Sequence, residues 1–75
     1  MKDLDTVVLT KNIARYGLKK GDIGTVVHAY AAGKAVEVEF MTAKGKTVAV
    51  LTLESSDIRS IATNEILHAR GFTSI

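Results

Sequence analysis

Glycine spacing in the segment 16–30 constrains the fold of this chain more than any other feature. The segment contains Gly17, Gly21 and Gly24, and the β-branched run Thr25-Val26-Val27 follows directly. Glycine adopts positive φ without a Cβ penalty, so this spacing favours a chain that reverses and re-enters a sheet as a bent strand. The sequence therefore predicts a structural turn formed by Gly17, Gly21, Asp22 and Gly24, at the start of a small β-barrel.

Strand-like segments recur along the chain with turn signals between them. The segment 35–40 alternates most clearly, with Val36, Val38 and Phe40 on one face and Glu37 and Glu39 on the other. Such alternation is typical of a strand with one buried face. The predicted strands are 5–10, 25–30, 35–40 and 47–53, followed by a helical turn and a short last strand within 57–61. The nearly continuous apolar segment 47–53 is predicted to be covered on both faces.

A chain of 75 residues supplies one hydrophobic core, so the sequence predicts a single domain. We expect an all-β fold, a small five-stranded SH3-like barrel over residues 1–61. Ile13, Tyr16 and Leu18 are predicted to fold back and cap the core. Residues 62–75 form a C-terminal extension, for which the sequence leaves two alternatives open. One is a short helix capped by Thr63 or Asn64, and the other is an extended segment that pairs with a sheet edge.

Composition excludes several classes of protein. The chain contains no cysteine, which excludes disulfides, thiolate zinc sites and cysteine nucleophiles. No apolar run approaches the ~20 residues that span a bilayer, and the first residues lack the apolar stretch of a secretory signal. We therefore expect a soluble, cytoplasmic protein without membrane association. The net charge of +2 comes mostly from interleaved charges, whereas nucleic-acid binding normally needs a concentrated basic stripe.

Residue types that could carry catalysis are present without the spacing that catalysis needs. His28 and His68 are the only imidazoles and belong to no metal-ligand motif. Glu37 and Glu39 are expected about 7 Å apart on one strand face, but a convex sheet offers no cleft to shift their pKa values. The glycine turn precedes a strand and lacks the Gly-Lys-Ser/Thr ending of a phosphate loop. The sequence thus predicts no enzyme, no cofactor and no metal.

Residues 3–53 resemble a small bacterial family known as domain of unknown function 4926. Four stretches carry the resemblance: Asp5 with Val7–Thr10, the glycine turn with its strand at 17–28, the alternating strand at 35–40, and Gly45-Lys46-Thr47 with Leu51-Thr52-Leu53. The resemblance implies an SH3-like barrel, similar to ribosomal and transcription-factor modules that begin with a Gly-Asp-x-Gly-x-Val turn. It brings no established activity. Because some members are encoded beside toxin-like proteins, it also implies an antitoxin or immunity role.

Two functions follow as expectations. The first is a non-catalytic module that binds another protein, with a neighbouring gene product or a second copy of the chain as partner. Its predicted partner-binding residues are Ile66, Leu67, Phe72, Ile75, Glu37 and Glu39. The alternative is an RNA- or DNA-binding barrel of the KOW type. Its predicted contacts are Arg15, Lys19, Lys20, Lys44 and Lys46.

Overall fold

A computed structural model describes residues 1–30 and 33–72. The described chain is all-β, with five antiparallel strands in one sheet in the order β4-β3-β2-β1-β5. The strands are β1 (Thr6–Leu9), β2 (Ile23–Ala29), β3 (Ala35–Met41), β4 (Thr47–Glu54) and β5 (Ile58–Ser60). The predicted all-β, five-stranded fold is confirmed. A 3₁₀ turn at Ser55–Asp57 connects β4 to β5, slightly earlier than the predicted helical turn.

The order of the strands makes β4 and β5 the two edges of the sheet. Closure of the sheet into an SH3-like barrel stays a prediction. The backbone hydrogen bonds of the described strands join each strand to its neighbours in this order and do not join β4 to β5. Over the part of the chain that the structure describes, no helix is long and apolar enough to cross a membrane.

The core follows from the alternation in the strands. Val36, Val38 and Phe40 of β3 are buried, while Glu37 and Glu39 lie on the opposite face. The buried hydrophobic cluster comprises Val7, Leu9, Leu18, Val26, Val36, Val38, Phe40, Leu53 and Ile58. Full burial of an aliphatic side chain contributes about 1.5–3 kcal/mol relative to its exposure, so this cluster is the main stabilising element of the sheet.

Gly17 and Gly21 have the positive φ that the spacing of the glycine turn predicted, whereas Gly24 does not. Gly21 has φ +95°, a value that side chains with a Cβ rarely adopt. Gly24 lies within β2 and is required for a different reason, because a Cβ there would stand 2.5 Å from Val38 Cγ1 and 2.8 Å from Phe40 Cε1. Gly24 therefore lets β2 and β3 approach closely over the core.

Two predictions about covered residues are wrong. Strand β4 is not covered on both faces: Val50 lies opposite Glu39 on the outer face of the sheet and is 50% exposed. Tyr16 does not cap the core and is exposed, since it belongs to a short 3₁₀ turn at Ala14–Tyr16 on the surface. Leu18 is buried and Ile13 packs against the core, as predicted. An isolated bridge between Ile13 and Leu18 holds this loop together.

The C-terminal extension is called the tail below and is described over residues 62–72. It has neither helix nor strand structure there, so neither of the two predicted forms occurs over 62–72. One turn is present, in which the Glu65 N–H donates to the Ala62 carbonyl. Side-chain contacts, rather than backbone ladders, position the tail on the sheet.

Candidate functional site

Asp22 is the point at which the sheet and the tail meet. It follows Gly21 and precedes β2, and it is the one buried charged residue in 1–30 and 33–72. The backbone N–H of Lys19 donates to Asp22 Oδ2 at 2.8 Å, which closes the turn locally. A buried carboxylate needs further donors or a counter-ion, because its desolvation is otherwise costly.

Arg70 supplies that counter-ion from the tail, 48 positions later in the chain. Its Nε–H donates to Asp22 Oδ1 at 2.7 Å, and its Nη2–H donates to Asp22 Oδ2 at 2.6 Å. The same Nη2 donates to the Gly17 carbonyl at 2.9 Å. A bidentate guanidinium–carboxylate pair has fixed geometry and charge-assisted hydrogen bonds, so it orients the tail over the glycine turn. We call Asp22 and Arg70 the clamp.

Opposing influences set the charge of Asp22. Burial raises the pKa of its carboxyl, whereas the hydrogen bonds from Arg70 and from the Lys19 N–H lower it, as do the charge of Arg70 and that of His68 when protonated. The net pKa lies below the ordinary value, so Asp22 is ionised at neutral pH. His68 Nε2 lies 3.6 Å from Asp22 Oδ1.

A second ion pair anchors the tail at its beginning. Nη1 and Nη2 of Arg59, on β5, donate to the two carboxylate oxygens of Glu65 at 2.7 Å each. The Ala62 N–H also donates to Glu65 Oε1 at 2.7 Å. The hydrogen bonds from Arg59 and then Ala62 lower the pKa of Glu65 to about 2. Arg59 and Glu65 are called the hinge pair below.

Two large apolar residues with high exposure lie between these anchors. Ile66 is 94% exposed and Leu67 is 68% exposed. Phe72, beyond the clamp, is half-buried. The predicted residue Ile75 lies outside the described residues. The structure thus brings Ile66 and Leu67 together on one short segment that is held at both of its ends.

A groove of about 630 Å³ runs between the tail and the sheet. Its apolar lining comes from the sheet and its loops and from the tail, and includes Leu18, Ile23, Phe40, Met41, Val48, Leu67 and Phe72. Asp22, His68 and Arg70 add polar groups at one side. The tail is therefore one wall of this groove, and the groove depends on the clamp.

Glu37 and Glu39 lie on the outer face of β3, away from the core. Glu37 accepts hydrogen bonds from the hydroxyls of Thr52 and Tyr30, and Glu39 accepts one from Thr47 Oγ1 at 2.6 Å. The hydrogen bonds from Thr52 and Tyr30 lower the pKa of Glu37. Both carboxylates are thus partnered with neutral hydroxyls, from β4 and from Tyr30 just after β2, as on a solvated strand face.

The predicted cationic residues fall into two groups. Arg15 and Lys46 line a second cavity of about 480 Å³ together with Phe72, and Lys44 belongs to the same β3–β4 hairpin as Lys46. The Arg15 guanidinium carbon lies 5.5 Å from the centre of the Tyr16 ring. Lys19 and Lys20 are exposed in the glycine turn and do not line that cavity.

Sequence reasoning treated Asp22 only as a turn residue and did not single out Arg59, Glu65 or Arg70. The clamp joins positions far apart in sequence, and no local spacing signals such a pair. Within the described ranges 1–30 and 33–72, no three side chains of the metal-binding types converge on a possible metal site.

Comparison with known families gives one match. The model of the family described as Domain of unknown function (DUF4926) matches residues 3–60. Asp22 and Arg59 lie inside the matched region, whereas Glu65 and Arg70 lie beyond it. No curated protein and no solved structure matches the chain.

Proposed function

The chain belongs to the DUF4926 family, whose description names no activity, and we propose that it is a non-catalytic module that binds another protein through its tail. The Ile66–Leu67 pair is the centre of the contact. The partner offers a concave apolar pocket that accepts these two side chains.

The observation that carries this proposal is the position of Ile66 and Leu67 between the hinge pair and the clamp. Exposed apolar side chains are common singly, but here two neighbours are displayed on a segment without helix or strand. The two bidentate ion pairs reduce the conformational freedom of that segment before binding. Preorganisation lowers the entropic cost of association, so it raises affinity.

Exposed apolar surface continues from the tail onto the sheet. Met41 is 51% exposed at the end of β3 and lines the same groove as Leu67 and Phe72. A partner that covers Ile66 and Leu67 would therefore also contact Met41. Apolar anchors at the centre of an interface with charged groups at its rim are typical of binding hot spots.

A narrower form of the proposal concerns the identity of the partner. The resemblance described above associates some members of the family with toxin-like neighbours. We propose on that ground that the partner is the product of an adjacent reading frame, which the module masks. The identity of the partner rests on the family resemblance, whereas the binding surface rests on the tail geometry.

The binding surface is tested by charge substitution at its centre. Ile66→Asp and Leu67→Asp are compared with Leu4→Asp, which changes a 79% exposed leucine near the other end of the chain. Binding to the co-expressed product of the adjacent reading frame is measured by calorimetry. We expect each tail variant to weaken binding about tenfold or more, since hot-spot truncations cost at least 1–2 kcal/mol. Unchanged affinity in both tail variants, or no complex with the wild type, would contradict the proposal.

Nucleic-acid binding is the alternative, and Arg15 and Lys46 beside one cavity are its best-placed residues. A short single-stranded RNA serves as the probe, with Arg15→Gln and Lys46→Gln as variants. Affinity for phosphates falls steeply with salt because bound counter-ions are released. Salt-dependent binding that both variants weaken, without any effect of Ile66→Asp, would replace the protein-binding proposal.

A further inference from the structure

Strand β4 has an open edge. It pairs with β3 along one side, and among residues 1–30 and 33–72 no strand pairs with its other side. The segment 47–53 contains no charged residue, and the chain contains no proline. Sheet edges are usually protected by lysine, proline or a covering element, because unpaired N–H and C=O groups can pair with another strand.

Backbone hydrogen bonds identify which residues face the open side. The Ser55 N–H donates to the Lys34 carbonyl at 3.3 Å, which sets the phase of the β3–β4 ladder. In an antiparallel pair the direction of the backbone groups alternates from one residue to the next. The N–H and C=O groups of Leu53 and Leu51 therefore bond to β3, whereas those of Val50 and Thr52 point away from β3. The backbone N–H of Glu54 also points away from β3, since it donates to Asp57 Oδ2.

The side chains along β4 also leave the core incompletely covered at this edge. Val48 and Leu51 pack against the buried cluster but are only partly buried. Val50, on the outer face, is 50% exposed. Another strand placed beside β4 would cover Leu51 and Val50 together, so apolar burial would accompany the new backbone hydrogen bonds.

We propose that β4 pairs in antiparallel fashion with β4 of a second copy of this chain, across a two-fold axis at Leu51. In this register Val50 lies opposite Thr52 of the partner subunit, and Leu51 lies opposite Leu51 of the partner subunit. The two Val50–Thr52 pairs exchange backbone hydrogen bonds through the N–H and C=O groups that face away from β3. The pairing extends the sheet through the two-fold axis, from β3 through β4 to β4 and β3 of the second copy.

Charge favours a second copy as the occupant of this edge. Lys46 precedes the uncharged segment and Glu54 follows it. In this register Lys46 lies opposite Ser56 of the partner subunit, two positions from the partner's Glu54, and this diagonal spacing of about 7–8 Å is within reach of long side chains, so opposite charges approach at both ends of the pair. The segment itself contributes no like-charge repulsion, and a two-fold interface closes without further addition.

Sedimentation velocity tests the pairing with matched substitutions. Val50→Lys places a charge on the proposed interface, and Val27→Lys makes the same change at a 40% exposed valine of β2. We expect the wild type and Val27→Lys to dimerise at micromolar concentrations, and Val50→Lys to dimerise at least about tenfold more weakly. If circular dichroism shows that the Val50→Lys protein is unfolded, Thr52→Lys is used in its place. A monomeric wild type, or a dimer that neither edge variant weakens, would overturn the proposal.

Disulfide crosslinking tests the register. Because the chain lacks cysteine, Leu51→Cys introduces a sole thiol. Residues opposite each other in a non-hydrogen-bonded pair have Cβ atoms about 4.5–5.5 Å apart, close to the separation that a disulfide bridges. We expect Leu51→Cys to form a covalent dimer on mild oxidation and Thr63→Cys, in the tail, to remain monomeric. Crosslinking of Thr63→Cys, or none at Leu51→Cys in a folded protein, would overturn this register.

Discussion

Gly24 shows how one residue fixes the distance between two strands. An added Cβ would stand 2.5 Å from Val38 Cγ1, 2.8 Å from Phe40 Cε1 and 3.1 Å from the Glu39 carbonyl oxygen. Val38 and Phe40 are buried, so they cannot move aside without disturbing the core. We expect Gly24→Ala to lower the free energy of unfolding by about 1–3 kcal/mol, measured by urea denaturation.

Gly71→Ala is the control for this prediction. No atom lies within 4 Å of a Cβ built at Gly71, and its φ is outside the left-handed region. The same addition of a methyl group should leave stability nearly unchanged there. Equal effects of the two substitutions would show that glycine content, and not the close approach at Gly24, determines the cost.

The pKa of the Glu65 carboxyl group should show directly whether the hinge pair forms. The hydrogen bonds from Arg59, and after them the hydrogen bond from the Ala62 N–H, lower its pKa from 4.5 to about 2 in the folded chain. A lowered folded pKa means that the stabilisation is fully present above the unfolded pKa and is lost as pH falls through the folded pKa. The contribution of this pair should therefore decline between pH 4.5 and about 2.

Carbon-detected NMR titration of the Glu65 side chain checks this window. In Arg59→Gln the main cause of the shift is removed, so the pKa of Glu65 should rise towards 4.5, leaving the Ala62 N–H as its donor. A midpoint that is the same in both proteins would show that Arg59 does not hold the carboxylate in solution.

The clamp acts between elements, because it joins the turn before β2 to the tail. Asp22→Asn and Arg70→Gln each remove one charge of a pair whose side chains are 10% and 24% exposed. We expect a coupling free energy of about 0.5–3 kcal/mol in a double-mutant cycle, measured by urea denaturation. Lys11–Asp57 supplies the comparison, because Lys11 is 57% exposed and exposed pairs couple by less than about 1 kcal/mol. Additive effects at Asp22 and Arg70 would contradict the clamp.

Local pattern predicted most of the sheet. Alternation identified β3, the β-branched runs identified β1 and β2, and the glycine turn lies where its spacing placed it. The residues that form the core could be predicted because period-two alternation reflects burial on one face. Family resemblance agreed with this interpretation, and the family model match confirms the membership.

Other features depend on contacts that no local pattern encodes. An apolar run such as 47–53 has the same sequence pattern whether one or both of its faces are covered, so the exposure of Val50 could not be predicted. Asp22 and Arg70 pair across 48 positions, and each alone is an ordinary charged residue. The tail lacked a clear period, and ion pairs determine its path instead of helix or strand hydrogen bonding.

At the scale of the whole molecule, the buried core and the proposed partner contact of the tail belong to different parts of the chain. Every residue of the buried cluster precedes Ile61, whereas Ile66 and Leu67 follow it. The buried cluster thus contains no residue of the tail. This separation allows the two proposed interfaces, the tail and the β4 edge, to be perturbed independently.

Deletion of residues 62–75 tests this separation. The remaining chain keeps the whole buried cluster and all five strands, so it should fold with the same strand signal in circular dichroism. It loses Arg70, which leaves the buried carboxylate of Asp22 with the Lys19 N–H as a donor. We expect the free energy of unfolding of the fragment to fall by about 1–3 kcal/mol. Full-length Arg70→Gln should lose a similar amount, because the clamp is the main contribution of the tail to stability. An unfolded 1–61 fragment would instead make the tail part of the folding unit, and the exposure of Ile66 and Leu67 would then need an explanation other than binding.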